Sequence, residues 1–239
     1  MAADRHISIQ RLIWRSLVWV LSAALVAPAL LCLLFAVVPV PLTPLMILRA
    51  TDGAAMERDW TSLDRISPHL VAAVLAAEDT TFCRHHGFDM PALSDAARRY
   101  LRPGRNARLR GGSTITQQTV KNVFLWPDRT WVRKGFEALL TVYADVLWSK
   151  RRTIEIYLNV VEWGDGVYGA EAASRRYFGK AARNLSEFEA ARLAAVLPNP
   201  RKWSADAPGP YVAGRVETIR ARAAQLGPLL DCTREPGRR

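Results

Sequence analysis

Apolar residues run almost unbroken near the start of the chain. No residue between positions 16 and 48 carries a charge. The densest part, residues 17–40, would form a helix of roughly 36 Å, enough to cross a bilayer. Pro28 falls in its middle, which a membrane helix tolerates. Beyond this span the pattern becomes one helix after another. Ser67-Pro68 reads as an N-cap followed by proline at the first helical position. The apolar stretch 70–77 follows and runs directly into Glu78-Asp79. A second helix is predicted from about Pro91 to just before Pro103-Gly104. Ser113 or Thr114 can cap a third, which continues to about Phe124. Val132, Phe136, Leu139, Leu140, Tyr143, Val146 and Leu147 recur at helical spacing between Trp131 and Trp148. Further helices are predicted over residues 153–161, stopped by Gly164-Asp165-Gly166, and over 168–178, closed by Gly179. Ser186 and Glu189 form a capping box for a helix to Leu197, which Pro198 and Pro200 end. A last helix fits residues 211–226, closed by Gly227. There is no run of alternating strands and no internal repeat, so the predicted fold class is mainly α.

The apolar run reads as an uncleaved membrane span. A secretory signal would be shorter and would end in a small-residue cleavage site. This run continues instead into Val38-Pro39-Val40-Pro41. Leu31 fills the place where a lipoprotein signal ending at Cys32 would need a small residue. Arg5, Arg11 and Arg15 precede the span, against Asp4 alone. Positive flanks stay cytoplasmic. The expected organisation is a basic cytoplasmic N-terminus over 1–15, a transmembrane helix over 16–42, an exported domain over 43–228, and a disordered tail over 229–239. The exported part, about 190 residues, is enough for one domain with a substantial core.

Charge narrows the partners. The 239 residues carry a formal net charge of +11, a balance that first suggests nucleic acid. An exported domain beside a membrane points to other anions, lipid head groups or a lipid phosphate. A basic surface with no specific ligand is the plain alternative. Cys32 lies in the span. Cys83 and Cys232 could pair in an oxidising compartment, but their spacing matches neither a disulfide framework nor a zinc site. Residues 102–112, with Arg102, Arg105, Arg108, Arg110 and three glycines, read as a mobile basic loop.

Three constellations could carry chemistry. A carboxyl that closes an apolar helix, as Glu78 does, is open to partial desolvation, which suits it to proton transfer. Its plain role would be to cap structure, as would that of Asp79. Phe82 and His85 follow at helical offsets and would ordinarily be a core ring and a hydrogen-bonded structural histidine. The second constellation is Arg110-Gly111-Gly112-Ser113-Thr114-Ile115-Thr116-Gln117-Gln118. Its paired glycines allow close backbone approach to a ligand, and the helix start after them presents free N–H groups. The glutamines add donors and acceptors suited to carbohydrate. In the third, Arg133 and Glu137 share a helix face. That spacing gives either a surface ion pair worth a few tenths of a kcal/mol or a carboxylate flanked by phosphate-binding cations.

Their order and spacing resemble the peptidoglycan glycosyltransferases of glycosyltransferase family 51. Glu78-Asp79-Thr80-Thr81-Phe82-Cys83-Arg84-His85-His86-Gly87-Phe88-Asp89 is similar to the first motif of that family. Gly111 to Gln118, with Lys121-Asn122, resembles the second, and Arg133 to Glu137 the third. Lys150, Glu155, Tyr157-Leu158-Asn159 and Gly164 resemble the fourth. The stretch from Tyr177-Phe178-Gly179-Lys180 to Leu197-Pro198-Asn199-Pro200 resembles the fifth. The resemblance covers about residues 50–225. Thr153 stands where a larger aliphatic residue is more usual, a packing variation. No serine is followed three residues later by lysine, so the acyl-transfer nucleophile motif is absent. The chain therefore looks like the short monofunctional biosynthetic enzymes of Gram-negative bacteria.

The resemblance implies a lysozyme-like helical domain with a small membrane-proximal lobe. It implies a single-pass protein of the cell inner membrane with a periplasmic catalytic domain. The implied reaction is polymerisation of lipid II. A glycan linked to undecaprenyl pyrophosphate is the donor, and the 4-hydroxyl of lipid II attacks the anomeric carbon with inversion. Glu78 is then the general base and Glu137 the second catalytic carboxylate. Lys121, Arg133 and Lys134 hold pyrophosphate, and Ser113, Thr114, Gln117 and Gln118 line the cleft. Asp79, Phe82, His85, Gly112, Asn122 and Asn159 complete the implied substrate-binding set. No cofactor is required by the sequence. Some family members respond to a divalent metal, Mg or Mn, but no dedicated ligand cage is visible. Proteins of the cell-wall synthesis complex are the candidate protein partners, and nucleic acid is not expected. A muramidase or lytic transglycosylase is the nearest enzymatic rival and a non-catalytic scaffold the other. Neither explains the two glutamates together with the basic motifs.

Overall fold

The computed structural model describes residues 2–101, 112–128 and 130–234. Of the predicted loop over 102–112, residues 102–111, with Arg110 and Gly111, lie outside the described residues, as do residues 235–239. Helix α1, Ala2–Val37, contains Pro28. Its apolar part, Ile9–Val37, is the one described helix long and apolar enough to cross a membrane. Helix α2, Pro44–Thr51, starts at Thr43, whose hydroxyl accepts from the Met46 N–H.

The remaining helices build two adjoining cores. Helix α3, Pro68–Glu78, starts at the Ser67 cap as its sequence predicts. It is apolar nearly all round and buried on most sides, which suits a central helix. Helices α9, Glu187–Val196, and α10, Pro210–Leu226, pack against it. The alanines of α9 let that packing close tightly, and Ala190, Ala191, Ala194 and Ala195 are fully buried. Trp163, Val167 and Phe82 fill the rest of this first core. The second core joins the end of α1, through Cys32 and Phe35, to Val120, Val123, Leu140, Ala144, Trp148, Ile156 and Val160. These residues come from α5, Ile115–Phe124, α6, Trp131–Leu147, with Trp148 just past its end, and α7, Lys150–Val160.

Helix α7 is shared by both cores. Ile154, Tyr157 and Leu158 face the first, while Ile156 and Val160 face the second. Thr153 is buried on it, with its hydroxyl donating to the Ser149 carbonyl at 3.1 Å. The smaller residue is thus accommodated without a stranded hydroxyl. Helix α4, Met90–Leu101, and α8, Ala170–Phe178, complete the helical set. Gly179 ends α8 in the left-handed region at φ 66°, which favours glycine.

Three features depart from the sequence expectation. A small sheet is present, in the order β1-β3-β2. Strand β1, Glu57–Arg58, pairs in parallel with β3, Val167–Tyr168, which pairs antiparallel with β2, Glu162–Gly164. Strands of two or three residues are too short to leave an alternating pattern. Tyr168, expected in a helix, belongs to this sheet, so α8 starts later, at Ala170. The start of the expected disordered tail over 229–239 is structured instead. Residues Gly227–Thr233 form a 3-10 helix, pinned by Arg151 Nη1 donating to the Thr233 carbonyl at 2.9 Å. Cys83 and Cys232, left open by the sequence, form a disulfide with Cα atoms 5.6 Å apart.

Candidate active site

All three sequence constellations meet at the C-terminal end of α3. Glu78, its last residue, is half-buried and lines a cleft of about 1160 Å³. Gln118 on α5 donates its amide N–H to Glu78 Oε2 at 2.9 Å. Tyr157 on α7 donates its hydroxyl to Gln118 Oε1 at 3.2 Å. Burial pushes the Tyr157 phenol well above its ordinary range, and the charges of Glu78 and Asp79 add to this. A phenol kept protonated directs the carbonyl end of the amide toward itself, and so the NH2 end toward the carboxylate.

Asp79 turns the other way. The chain leaves the helix there at φ −157°, ψ 79°, which rotates its side chain into the protein. Its carboxylate is buried and accepts from the Ile115 N–H at 2.9 Å. His85 Nε2 lies 3.0 Å from both of its oxygens. Ile115 is the first residue of α5, so Asp79 supplies negative charge to a helix N-terminus and ties the end of α3 to the start of α5. Phe82 is 1% exposed and sits in the first core. The His85 ring meets its edge at 6.2 Å, and Lys150 Nζ lies 4.8 Å over its face. Thr81 donates to Asp89, which also accepts from the Ala92 N–H at 2.8 Å and so caps α4. These bonds, that from Thr81 first, hold the Asp89 carboxyl below its ordinary range.

The α5 start carries the second constellation. Gly112, Ser113, Thr114 and Gln118 line the cleft. Gln117 is turned back into a capping box: its Oε1 accepts from the Thr114 N–H at 3.0 Å, and its own N–H reaches the Thr114 hydroxyl oxygen at 3.2 Å. The Thr114 hydroxyl donates to the Gly87 carbonyl at 2.6 Å, binding this helix start to the first constellation.

The third constellation is not a surface ion pair. Glu137 is 2% exposed. Arg133 Nη1 lies 2.6 Å from one carboxylate oxygen, and Lys134 Nζ contacts the other. Lys134 also donates to Ser113 Oγ at 3.2 Å, which links this cluster to the rim of the cleft. Lys121 on α5 joins it electrostatically. Burial holds the Lys121 ammonium below its ordinary range. Glu137 and Glu78 oppose that shift, while Arg133 and Lys134 reinforce it. Asn122 is half-buried beside Lys121. Asn159 lies elsewhere: it is fully buried, takes the Thr61 N–H at 2.8 Å, and donates to the Thr61 carbonyl at 2.9 Å.

One wall of the cleft went unnoticed in the sequence. Tyr211, Arg215, Thr218 and Arg222 of α10 line it. Their spacing of four, seven and eleven residues is the signal that could have been found, a polar stripe on an otherwise packed helix.

The transglycosylase family model matches residues 46–224. The chain is 54% identical over 209 residues to a biosynthetic peptidoglycan transglycosylase of Rhodospirillum centenum, covering 85% of this chain and 89% of that protein. It is 47% identical to one of Caulobacter vibrioides, over 93% of this chain and 97% of that protein. It is 46% identical to one of Pseudomonas aeruginosa, over 92% and 94%.

Proposed function

The chain belongs to the transglycosylase family, and from that premise we propose a division of labour between two carboxylates in polymerising lipid II into glycan strands. Glu78 is the general base. It takes the proton of the acceptor 4-hydroxyl as that oxygen bonds to the anomeric carbon of the donor. The bond from that carbon to undecaprenyl pyrophosphate breaks on the opposite face, which gives inversion. Pyrophosphate leaves with the electron pair, and Lys121, Arg133 and Lys134 stabilise its charge. Glu137 holds Arg133 and Lys134 in place. The observation that carries this reading is the contrast between the two sites. Glu78 borders the open cleft with an amide as its partner and, among the described residues, no ion pair. Glu137 is buried between two cations.

Other members of the implied binding set take supporting parts. Ser113, Thr114, Gly112 and Gln118 line the path of the sugars, and Asn122 stands beside Lys121. Asp79, Phe82, His85 and Gln117 act by shaping the turn and helix start around Glu78. Asn159 acts by holding the backbone of Thr61. For a divalent cation, Mg or Mn, no group of three His, Cys, Asp or Glu side chains is suitably placed among the described residues. The Asp79 and Glu137 carboxylates are each engaged by other groups.

We further propose that α1 anchors the enzyme in the inner membrane, with the N-terminus cytoplasmic and the catalytic domain periplasmic. Arg11 and Arg15 at the start of the span support this orientation, and a disulfide suits an oxidising compartment. Exposed Val132, Phe136, Leu139, Val142 and Val146 on α6 form an apolar stripe that suits a lobe resting on lipid. Proteins of the cell-wall synthesis complex are the partners such a membrane-bound polymerase would meet.

The test is to give the purified full chain lipid II and, separately, finished glycan. We expect polymer from lipid II, no cleavage of glycan, and no polymer from Glu78→Gln. Cleavage of glycan without polymerisation, or near-normal turnover by Glu78→Gln, would overturn the assignment. A reporter fused after Arg239 that worked only in the cytoplasm would overturn the topology.

A further inference from the structure

The last carbonyls of a helix have no partner inside it, and a bare carbonyl near hydrocarbon is costly. Helix α1 ends at Val37 without a basic residue in its last turn. Side chains from the domain meet its end instead. Trp148 Nε1 adds a bond to the Cys32 carbonyl at 2.7 Å, more than one turn inside the helix end. Arg152 Nε donates to the Phe35 carbonyl at 2.9 Å and Nη2 to the Val38 carbonyl at 2.7 Å. Arg58 Nη2 donates to the Val40 carbonyl. Both guanidinium groups lie over the Trp60 ring, at 5.5 Å for Arg152 and 5.9 Å for Arg58. Arg152 thus places positive charge where the helix dipole is negative.

The helix that carries this arginine also carries a separate set of contacts that reaches the base. Arg152 Nη1 donates to Glu155 Oε1, and Glu155 Oε2 accepts from the Leu63 N–H at 3.3 Å. One turn on, Asn159 grips Thr61 through both of its backbone groups. Between them Tyr157 orients Gln118, and Gln118 contacts Glu78. All four side chains stand on α7, about 16 Å of helix held between both cores. One buried element therefore carries the clasp on the anchor and the phenol behind the catalytic base.

We propose that α7 is a rigid mount, with Arg152 as a positioning residue that fixes the angle and height of the cleft over the bilayer. The anchor then works as a strut, not as a flexible tether. Lipid-linked donor and acceptor present their reacting sugars at a set height, and a cleft free to tilt would lose the geometry of attack. This rests on the anchoring and polymerising roles proposed above.

Detergent micelles supply the control, because they impose no plane. The full chain and Arg152→Ala are assayed for lipid II polymerisation in liposomes and in micelles, with the melting temperature measured in detergent. We expect a roughly fivefold or greater loss of turnover in liposomes, with shorter glycans and less than about a twofold change in micelles. Equal loss in both settings, or no loss in liposomes, overturns the proposal. Should Arg152→Ala fail to fold, Arg152→Lys keeps the charge without the two-pronged fork, and Trp148→Phe removes a second clasp; the same liposome-to-micelle ratio is read from both. A wild-type chain that polymerises nothing in either setting defeats the polymerase reading instead, which keeps the two failures apart.

Discussion

Two glutamates stand in opposite surroundings: Glu78 lines the cleft, while Glu137 is buried behind its rim. Glu78 ends a helix at open space, held by a single amide that a buried phenol orients. Glu137 sits mid-helix under cover, saturated by Arg133 and Lys134. The difference separates reactivity from structure. A carboxylate that must accept a proton needs room and an unpaired oxygen. A carboxylate that keeps cations in place needs burial and full pairing. Residue type does not distinguish them; neighbours do.

The contrast can be broken most severely at Glu78. Glu78→Gln should cut polymerisation by about a thousandfold, in the range that removal of a general base produces, with the melting temperature nearly unchanged. Glu137→Gln should lose both properties: about a hundredfold in turnover, and about 2–3 kcal/mol in stability measured by denaturant titration, because a buried cation loses its partner. Equal destabilisation by the two variants would erase the distinction.

Lys121→Met sharpens it from the cation side. The ammonium is desolvated, so its removal should leave stability unchanged or raised while polymerisation falls about tenfold or more. The pH dependence has opposite signs for the two properties. The Lys121 pKa is lowered in the folded protein from 10.5, so between the folded value and 10.5 the unfolded chain binds more protons. The Lys121 contribution to stability therefore rises with pH across that window, while activity that needs the charged form falls. Wild type minus Lys121→Met, followed by thermal melts and by initial rates, isolates both trends. The smallest effect is expected at Tyr157. Tyr157→Phe frees the Gln118 amide to turn, which should lower kcat by about three- to tenfold with little change in KM. A double-mutant cycle with Gln118→Ala should show coupling of about 1 kcal/mol.

Much of the fold could be read from local signals, because caps and prolines act within one turn of helix. Ser67, Ser186 and Gly179 mark helix ends from sequence alone, and each does so in the structure. The sheet could not be read, since Glu57 meets Val167 across more than a hundred residues and each strand is minimal. In the site, Glu78 and the Arg133–Glu137 pair were visible as a helix end and an i, i+4 spacing. Whether that pair was buried was not, because burial depends on α5 arriving over α6. Nearness to Glu78 in sequence also misleads. Asp79, Phe82 and His85 follow it directly, yet the turn at Asp79 sends them inward. Asn159 stands in a motif with Tyr157, but two residues along a helix are about 200° apart, and only Tyr157 reaches the network at the base.

The bond between Cys83 and Cys232 has a consequence for how the protein is made. It spans 149 positions and encloses the stretch that carries α4 to α10. With the proposed topology, Cys83 crosses the membrane early and waits as a free thiol until Cys232 emerges. Covalent closure of the catalytic loop is therefore a late event in biogenesis. A chain stalled in export before Cys232 would leave Glu78 on a segment not yet secured and the Cys83 thiol open to oxidation or to pairing with another thiol.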